Sequence, residues 1–275
     1  MVATAVAFGI YLDSHPSLLR KLTHTSPATV LEILLLYLGW FGTLNLTVFA
    51  ILRLWGMRLP ITRNLTLNAY STLVNFFGPG QSGIAARALY VKKELGLPLR
   101  HYVYGTLGFY GCYALVSIVM LLGPSTPIWL FLTIFGAAAL GISGLIRART
   151  NQTLRGGAAL SGKVRNVFWL LAAAAAQAAF QAAIYSVELL SVNPDITWRQ
   201  ICTYTGAANL SLFVALTPGA IGIRESFLVL SEKLHHISTS VIVAASLLDR
   251  AVFILFLGLL FIYAIATHAK RRLVD

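Results

Sequence analysis

The sequence predicts an all-α, polytopic membrane helical bundle made of two inverted repeats, each containing a re-entrant hairpin of broken helix. Three observations lead there. Of the 275 residues, 57% are hydrophobic and 11% charged, and the mean hydropathy is +0.77. Soluble domains carry about 25% charged residues, so most of this chain is suited to lipid. Apolar stretches long enough to cross a bilayer core, which takes about 20 residues, recur along it. The motif Pro-Gly-x-x-Gly-Ile also occurs twice, at Pro79–Ile84 and Pro218–Ile223, each time just after an apolar run. The copies lie 139 residues apart, half the chain. Proline removes a backbone donor and glycine tolerates helix-breaking dihedrals, so an apolar helix arriving at either motif should unwind or turn.

Residues 2–12 are apolar but short, with no basic segment ahead of them, and read as a short first helix or part of one rather than a cleaved signal. The first full span is Ala28–Leu52, followed by a linker with Arg53, Arg58 and Arg63. Thr66–Phe77 is too short to cross and stops at Pro79-Gly80. Ala85–Leu95 reads as a return helix with Arg87 inside it, ended by Gly96 and Pro98. A half-length apolar arm, a break and a polar-ended return arm describe a re-entrant hairpin. Such backbone survives at membrane depth only where protein buries it or it lines a wet cavity. Spans Tyr102–Leu122 and Pro127–Ile146 come next, then the most basic loop, Arg147–Arg165, then span Val167–Val192. That last span carries an alanine-rich block that suits close helix approach, Gln177 and Gln181 as interhelical hydrogen-bonders, and Glu188, placed at the interface near the span end. The second short arm, Ile201–Leu216, meets the second break, and Ser226–His235 returns. The final span, Ser238–Thr267, is interrupted by Asp249-Arg250. The chain thus reads as one membrane domain, 1–275, with repeat one over about 28–122 and repeat two over about 167–267.

Three full spans separate the hairpins, so the two should enter from opposite faces. Of 21 Lys and Arg, 14 fall on the face holding the first hairpin's ends, within 53–63, 92–100, 147–165 and 270–272. Five fall on the other (Arg20, Lys21, Arg199, Arg224, Lys233), and Arg87 and Arg250 lie inside. The positive-inside rule makes the basic face cytoplasmic. The formal charge of +12 is therefore a topology signal in loops, and no nucleic acid is expected. Cys112 and Cys202 have neither metal nor disulfide spacing, and the sequence carries no P-loop or dinucleotide fingerprint. No metal, cofactor or catalytic group is expected, and the protein is read as a non-enzyme.

Broken helices meeting near mid-membrane form substrate sites in secondary transporters. Charges at bilayer depth cost a few kcal/mol each, which makes Arg87, Arg224, Glu225, Asp249 and Arg250 candidate substrate-binding residues. The plainer alternative is that they pair only to hold helices together. The break residues Pro79, Gly80, Gly83, Pro218, Gly219 and Gly222 either serve backbone geometry alone or leave amides free for an anion. Gly80-Gln81-Ser82-Gly83 also fits the Gly-x-Ser-Gly nucleophile pattern of rhomboid-like proteases, but all six histidines fall in loops or at span ends.

Thr217-Pro218-Gly219-Ala220-Ile221-Gly222-Ile223-Arg224-Glu225 resembles the Pro-Gly-Gly-x-Gly-x-Arg-Glu signature of the transmembrane region of lysylphosphatidylglycerol synthases and their stand-alone, flippase-like relatives. Asp249-Arg250 and the run from Gly78-Pro79-Gly80 to Arg87 extend the likeness, which covers about Ala28 to the C-terminus. Where the family often has a Glu-Arg pair after the first motif, this chain reads Gly108-Phe109-Tyr110-Gly111. With the chain stopping at Asp275, a stand-alone member without the synthase domain is expected. The resemblance implies a protein of a bacterial or archaeal cytoplasmic (inner) membrane that moves a lipid between leaflets through a charged midplane cleft. That lipid would bear an aminoacylated or glycosylated head group, and the partners implied are the enzyme that modifies it or a second copy of the chain. The alternatives are an intramembrane enzyme, either a rhomboid-like serine protease or a glycosyltransferase, and a non-transporting partner in a lipid-biosynthetic complex.

Overall fold

The computed structural model describes residues 25–78, 82–123, 160–214 and 223–272. Among them the secondary structure is helical throughout: α1 (Pro27–Arg53), α2 (Ile61–Phe77), α3 (Ser82–Leu95), α4 (Leu99–Leu122), α5 (Leu160–Val192), α6 (Trp198–Ser211), α7 (Ile223–Leu230), α8 (Glu232–His235) and α9 (Thr239–Arg272). Four of these are long and apolar enough to span a bilayer, over 27–53, 99–122, 166–192 and 239–267. Large side chains such as Leu31, Leu35, Phe261, Ile262 and Ile265 point outward, more than half exposed, as lipid-facing surface does. The protein is an integral membrane protein. The expected span at 127–146 and the segment 2–12 lie outside the described residues.

Local chemistry starts the helices where the sequence changes character. Ser26 caps α1, its hydroxyl accepting from Thr29 N at 3.1 Å, with Pro27 in the first turn. Thr197 and Gln200 form a capping box at the start of α6. α6 ends at Ser211, earlier than the apolar run to Leu216 suggests, because the chain turns at Leu212–Val214.

α1 and α5 pack along their length and run antiparallel. At one end Asn166 Nδ2 of α5 donates to Arg53 O at the C-terminus of α1 (3.3 Å), and the Arg53 guanidinium lies over Phe49 and Trp169. Nearer the other end, Tyr37 of α1 stands beside Tyr185 and Glu188 of α5. α2 follows the C-terminus of α1 and α6 follows the C-terminus of α5, so the two helix–break–helix units begin at opposite ends of the bundle.

In the first unit α3 folds back along α2. Arg63 and Glu94 pair at the open end (3.3 Å), Arg87 meets Asn68 midway (3.2 Å), and Ser82 Oγ donates to Val74 O (3.0 Å) near the tip. Gly83, expected as part of the break, lies instead in the first turn of α3, and its N–H donates to Asn75 Oδ1 at 3.3 Å. A Cβ there would come within 2.8 Å of the Asn75 Cβ and closer still to Ser71 O, so the glycine serves close approach of the two arms rather than chain reversal. Pro79, Gly80, Pro218, Gly219 and Gly222 lie outside the described residues. In the second unit α7 and α8 return along α6: Gln200 Nε2 donates to His236 O (3.1 Å), and the Tyr204 and His235 rings meet edge to face. His235 closes this return, taking the Ile237 N–H on Nδ1 and donating from Nε2 to Leu228 O.

Each unit's first arm packs on the closing span of the other half. α6 lies against α4, where Gly206 faces the Ser117–Leu121 backbone, and α2 lies against α9, where Tyr70 OH donates to Ala264 O (3.2 Å). Exchanging α1 with α5, α2 with α6, α3 with α7 and α4 with α9 maps these helix contacts onto one another: α4 on α5 answers α9 on α1, and α1 on α2 answers α5 on α6.

Candidate functional site

The Arg-Glu dipeptide after the second break falls in the first turn of α7, and the Asp-Arg dipeptide falls inside α9. Packed side by side, they form two ion pairs. Arg224 Nη2 meets Asp249 Oδ2 at 2.5 Å, and Arg250 Nη2 meets Glu225 Oε1 at 3.1 Å. A 3.5 Å contact from Arg224 Nε to Glu225 Oε1 joins the pairs into one network. The structure thus gathers four of the five charged residues predicted for the site.

Neighbouring spans complete the network. Tyr37 OH from α1 donates to Asp249 Oδ1, and Arg224 Nη1 donates to Tyr185 OH from α5 at 3.3 Å. One helical turn beyond Tyr185, Glu188 reaches the same group and lies beside Asp249. Glu188, expected near the interface, is 1% exposed: the helices packed around α5 bury it inside the protein. Tyr37, Tyr185 and Glu188 were not read as site residues. Tyrosines near span ends are ordinary, and only the Tyr185–Glu188 spacing, which puts both on one helix face, hints at a shared role.

Depth divides the network. The side chains of Arg224 and Asp249 are 9% and 3% exposed, those of Glu225 and Arg250 18% and 15%. Isolated buried charges are prohibitively costly, so the deeper pair needs its hydrogen bonds to Tyr37 and Tyr185. The expected open cleft is, in this conformation, an occluded cluster. Beneath it Tyr37, Trp40, Phe253 and Phe256 stack or meet edge to face. Phe76, beside the first break, joins them through Phe253 at 5.8 Å. The C-terminal end of α2 and the start of α7 therefore adjoin one region, the middle of α9.

Arg87 stands apart from this network, hydrogen-bonded to Asn68 within the first hairpin. Near the C-terminus of α6 Asn209 is 1% exposed, and neither of its side-chain polar atoms has a hydrogen-bond partner among the described residues. A cavity of about 420 Å³ lies between α2, α3 and α9, lined by Thr66, Tyr70, Ser71 and Tyr90 with Arg63 at the open-end side. It is remote from the ion pairs. Among the described residues no group of three or more His, Cys, Asp or Glu could hold a metal ion.

A family sequence model, the lysylphosphatidylglycerol synthase TM region, matches residues 2–260, nearly the whole chain. The chain belongs to that family. None of the curated proteins matches it significantly. For a member of the lysylphosphatidylglycerol synthase TM region family, the match places both breaks and the Arg224–Arg250 network inside the family's own unit. Together with the spanning helices, it makes this a membrane-embedded protein connected with lipid.

Proposed function

We propose that this protein moves a lipid with a modified head group between the leaflets of a cytoplasmic membrane, the basic loops facing the cytoplasm. The observation that carries this reading is the network of Arg224, Glu225, Asp249 and Arg250, built from the helix that follows the second Pro-Gly motif in sequence and from the middle of a spanning helix. Charge held there, where nothing but protein can compensate it, suits a path for a polar head group. The antiparallel α1–α5 pair and the exchangeable helix contacts support inverted repeats whose hairpins re-enter from opposite faces. The two halves would then open alternately, with acyl chains remaining in lipid. A nucleophilic role for Ser82 is less well supported, since its hydroxyl donates to Val74 O and staples the hairpin tip.

Within the network the two pairs have different tasks. Arg224–Asp249, with both tyrosines attached, clamps α7, α9, α1 and α5 together. Glu225–Arg250, the more exposed pair, exchanges its partner for the head group. The test is leaflet exchange of an aminoacylated phosphatidylglycerol in proteoliposomes containing the purified chain alone. The wild type should accelerate exchange well above protein-free vesicles, and Glu225→Gln and Arg250→Gln should each reduce it at least tenfold while remaining monodisperse. Wild-type rates in both variants would remove the site assignment. No exchange by the wild type would favour a non-transporting partner of a lipid-modifying enzyme.

A further inference from the structure

Among the described residues Arg87 has one hydrogen-bond partner, and that partner is neutral. Arg87 Nη1 donates to Asn68 Oδ1 at 3.2 Å. Asn68 is fully buried and fixed from behind: its Nδ2 donates to Asn45 Oδ1 and Asn64 Oδ1, both at 3.0 Å. Asn64 Nδ2 in turn donates to Asn45 O at 2.9 Å. These amides aim one carbonyl oxygen at the guanidinium. Among the described residues the ion pairs involve Arg63, Arg224 and Arg250, and none involves Arg87. The Arg87 Nε is buried without an acceptor. Nε and Nη2 make up the guanidinium edge that presents two parallel N–H bonds, the geometry that matches two oxygens of a phosphate. The phenols of Tyr102 and Tyr110 on α4 lie within electrostatic reach of Arg87, and each has an O–H to donate. The side chain is itself only half-buried, so a ligand can reach it.

We propose that Arg87, backed by the Asn45–Asn64–Asn68 amides and flanked by Tyr102 and Tyr110, is a receptor for a phosphate oxyanion. The inference rests on the reading that this protein handles lipid, and it narrows the substrate class. The arginines of the second network already face carboxylates, whereas Arg87 makes no ion pair among the described residues. A lipid bearing a phosphate at its head group fits that site, and a neutral glycosylated diacylglycerol does not. Binding of the oxyanion also removes the cost of holding a lone cation in an apolar setting.

Binding to the full chain in dodecyl maltoside, followed by native mass spectrometry, tests this with short-chain phosphatidylglycerol, dioleoylglycerol and inorganic phosphate. Phosphatidylglycerol should bind the wild type at least tenfold more tightly than Arg87→Gln. Arg87→Lys, which keeps the charge but not the two-pronged edge, should fall between them. Dioleoylglycerol, with tails but no phosphate, should bind all three alike. Competition by inorganic phosphate would show that the anion alone suffices, and an Arg87 effect without such competition would show that the site needs the attached lipid. Either supports the receptor. Equal phosphatidylglycerol binding by wild type and Arg87→Gln overturns it, whatever the exchange assay shows. Should Arg87→Gln fail to fold, Tyr110→Phe gives the same comparison with a smaller loss, and unchanged binding there overturns the proposal. Leaflet exchange by a wild type whose binding ignores Arg87 would sink this inference and leave the transport reading standing. Arg87-dependent binding without exchange would do the reverse.

Discussion

Asp249 receives the Tyr37 hydroxyl on one carboxylate oxygen and the Arg224 guanidinium on the other, so three helices meet at a single side chain. Taking one partner away leaves the other charge in a dry site, which costs about 3–5 kcal/mol. Replacing both with apolar residues of similar volume is often neutral or stabilising. Arg224→Ala should therefore lower the thermal midpoint in detergent sharply, and the double variant Arg224→Met/Asp249→Leu should recover most of the loss. A double variant as unstable as Arg224→Ala would contradict the clamp. At this scale the sequence was informative wherever a residue was out of place. Arg224, Glu225, Asp249 and Arg250 stand out because charge inside apolar runs is rare, and Arg87 stands out for the same reason. Tyr37 and Tyr185 do not stand out at all. Glu188 does not stand out either, because its burial is decided by the helices packed against α5.

The helical arms were legible from the apolar runs, with ends shifted by a few residues: α2 stops at Phe77 and α3 starts at Ser82, while α6 stops at Ser211 and α7 starts at Ile223. What could not be read was which glycines exist for contact rather than for turning. Gly206 is such a position: a Cβ on it would lie 2.5 Å from Ser117 O and nearer still to Leu121 N. Both are backbone atoms of α4 and cannot swing aside. Gly206→Ala should thus force α6 off α4 and cost about 1–3 kcal/mol, the usual penalty of overpacking. Gly83→Ala should do the same between α2 and α3. Gly258, on the open face of α9 with nothing within 4 Å of its Cβ position, supplies the control. Gly258→Ala should not destabilise, and should gain about 0.5–1 kcal/mol from the helix preference of alanine over glycine. Thermal unfolding of the three variants in one detergent checks the order. If Gly206→Ala matched Gly258→Ala, the α4–α6 seam would not be the tight contact described here.

Over the whole molecule the transport reading requires two similar halves that run in opposite directions. The duplicated motif suggests two halves, but their direction depends on crossings that composition gives only indirectly, through loop charge. Helix contacts address it independently, because α1 and α5 meet C-terminus to N-terminus at Arg53 and Asn166. The open end of the first hairpin, at Arg63 and Glu94, and that of the second, at Gln200 and His236, then belong to opposite ends of the bundle. Alternating access to a shared centre depends on that arrangement. The most direct measurement is sided labelling with a membrane-impermeant maleimide, after Cys112 and Cys202 are replaced by alanine and one cysteine is introduced at exposed Lys93 or exposed Lys233. In intact cells Lys233→Cys should react from outside, and Lys93→Cys only after permeabilisation. Both positions reacting from the same side would contradict opposed hairpins and the transport path built on them.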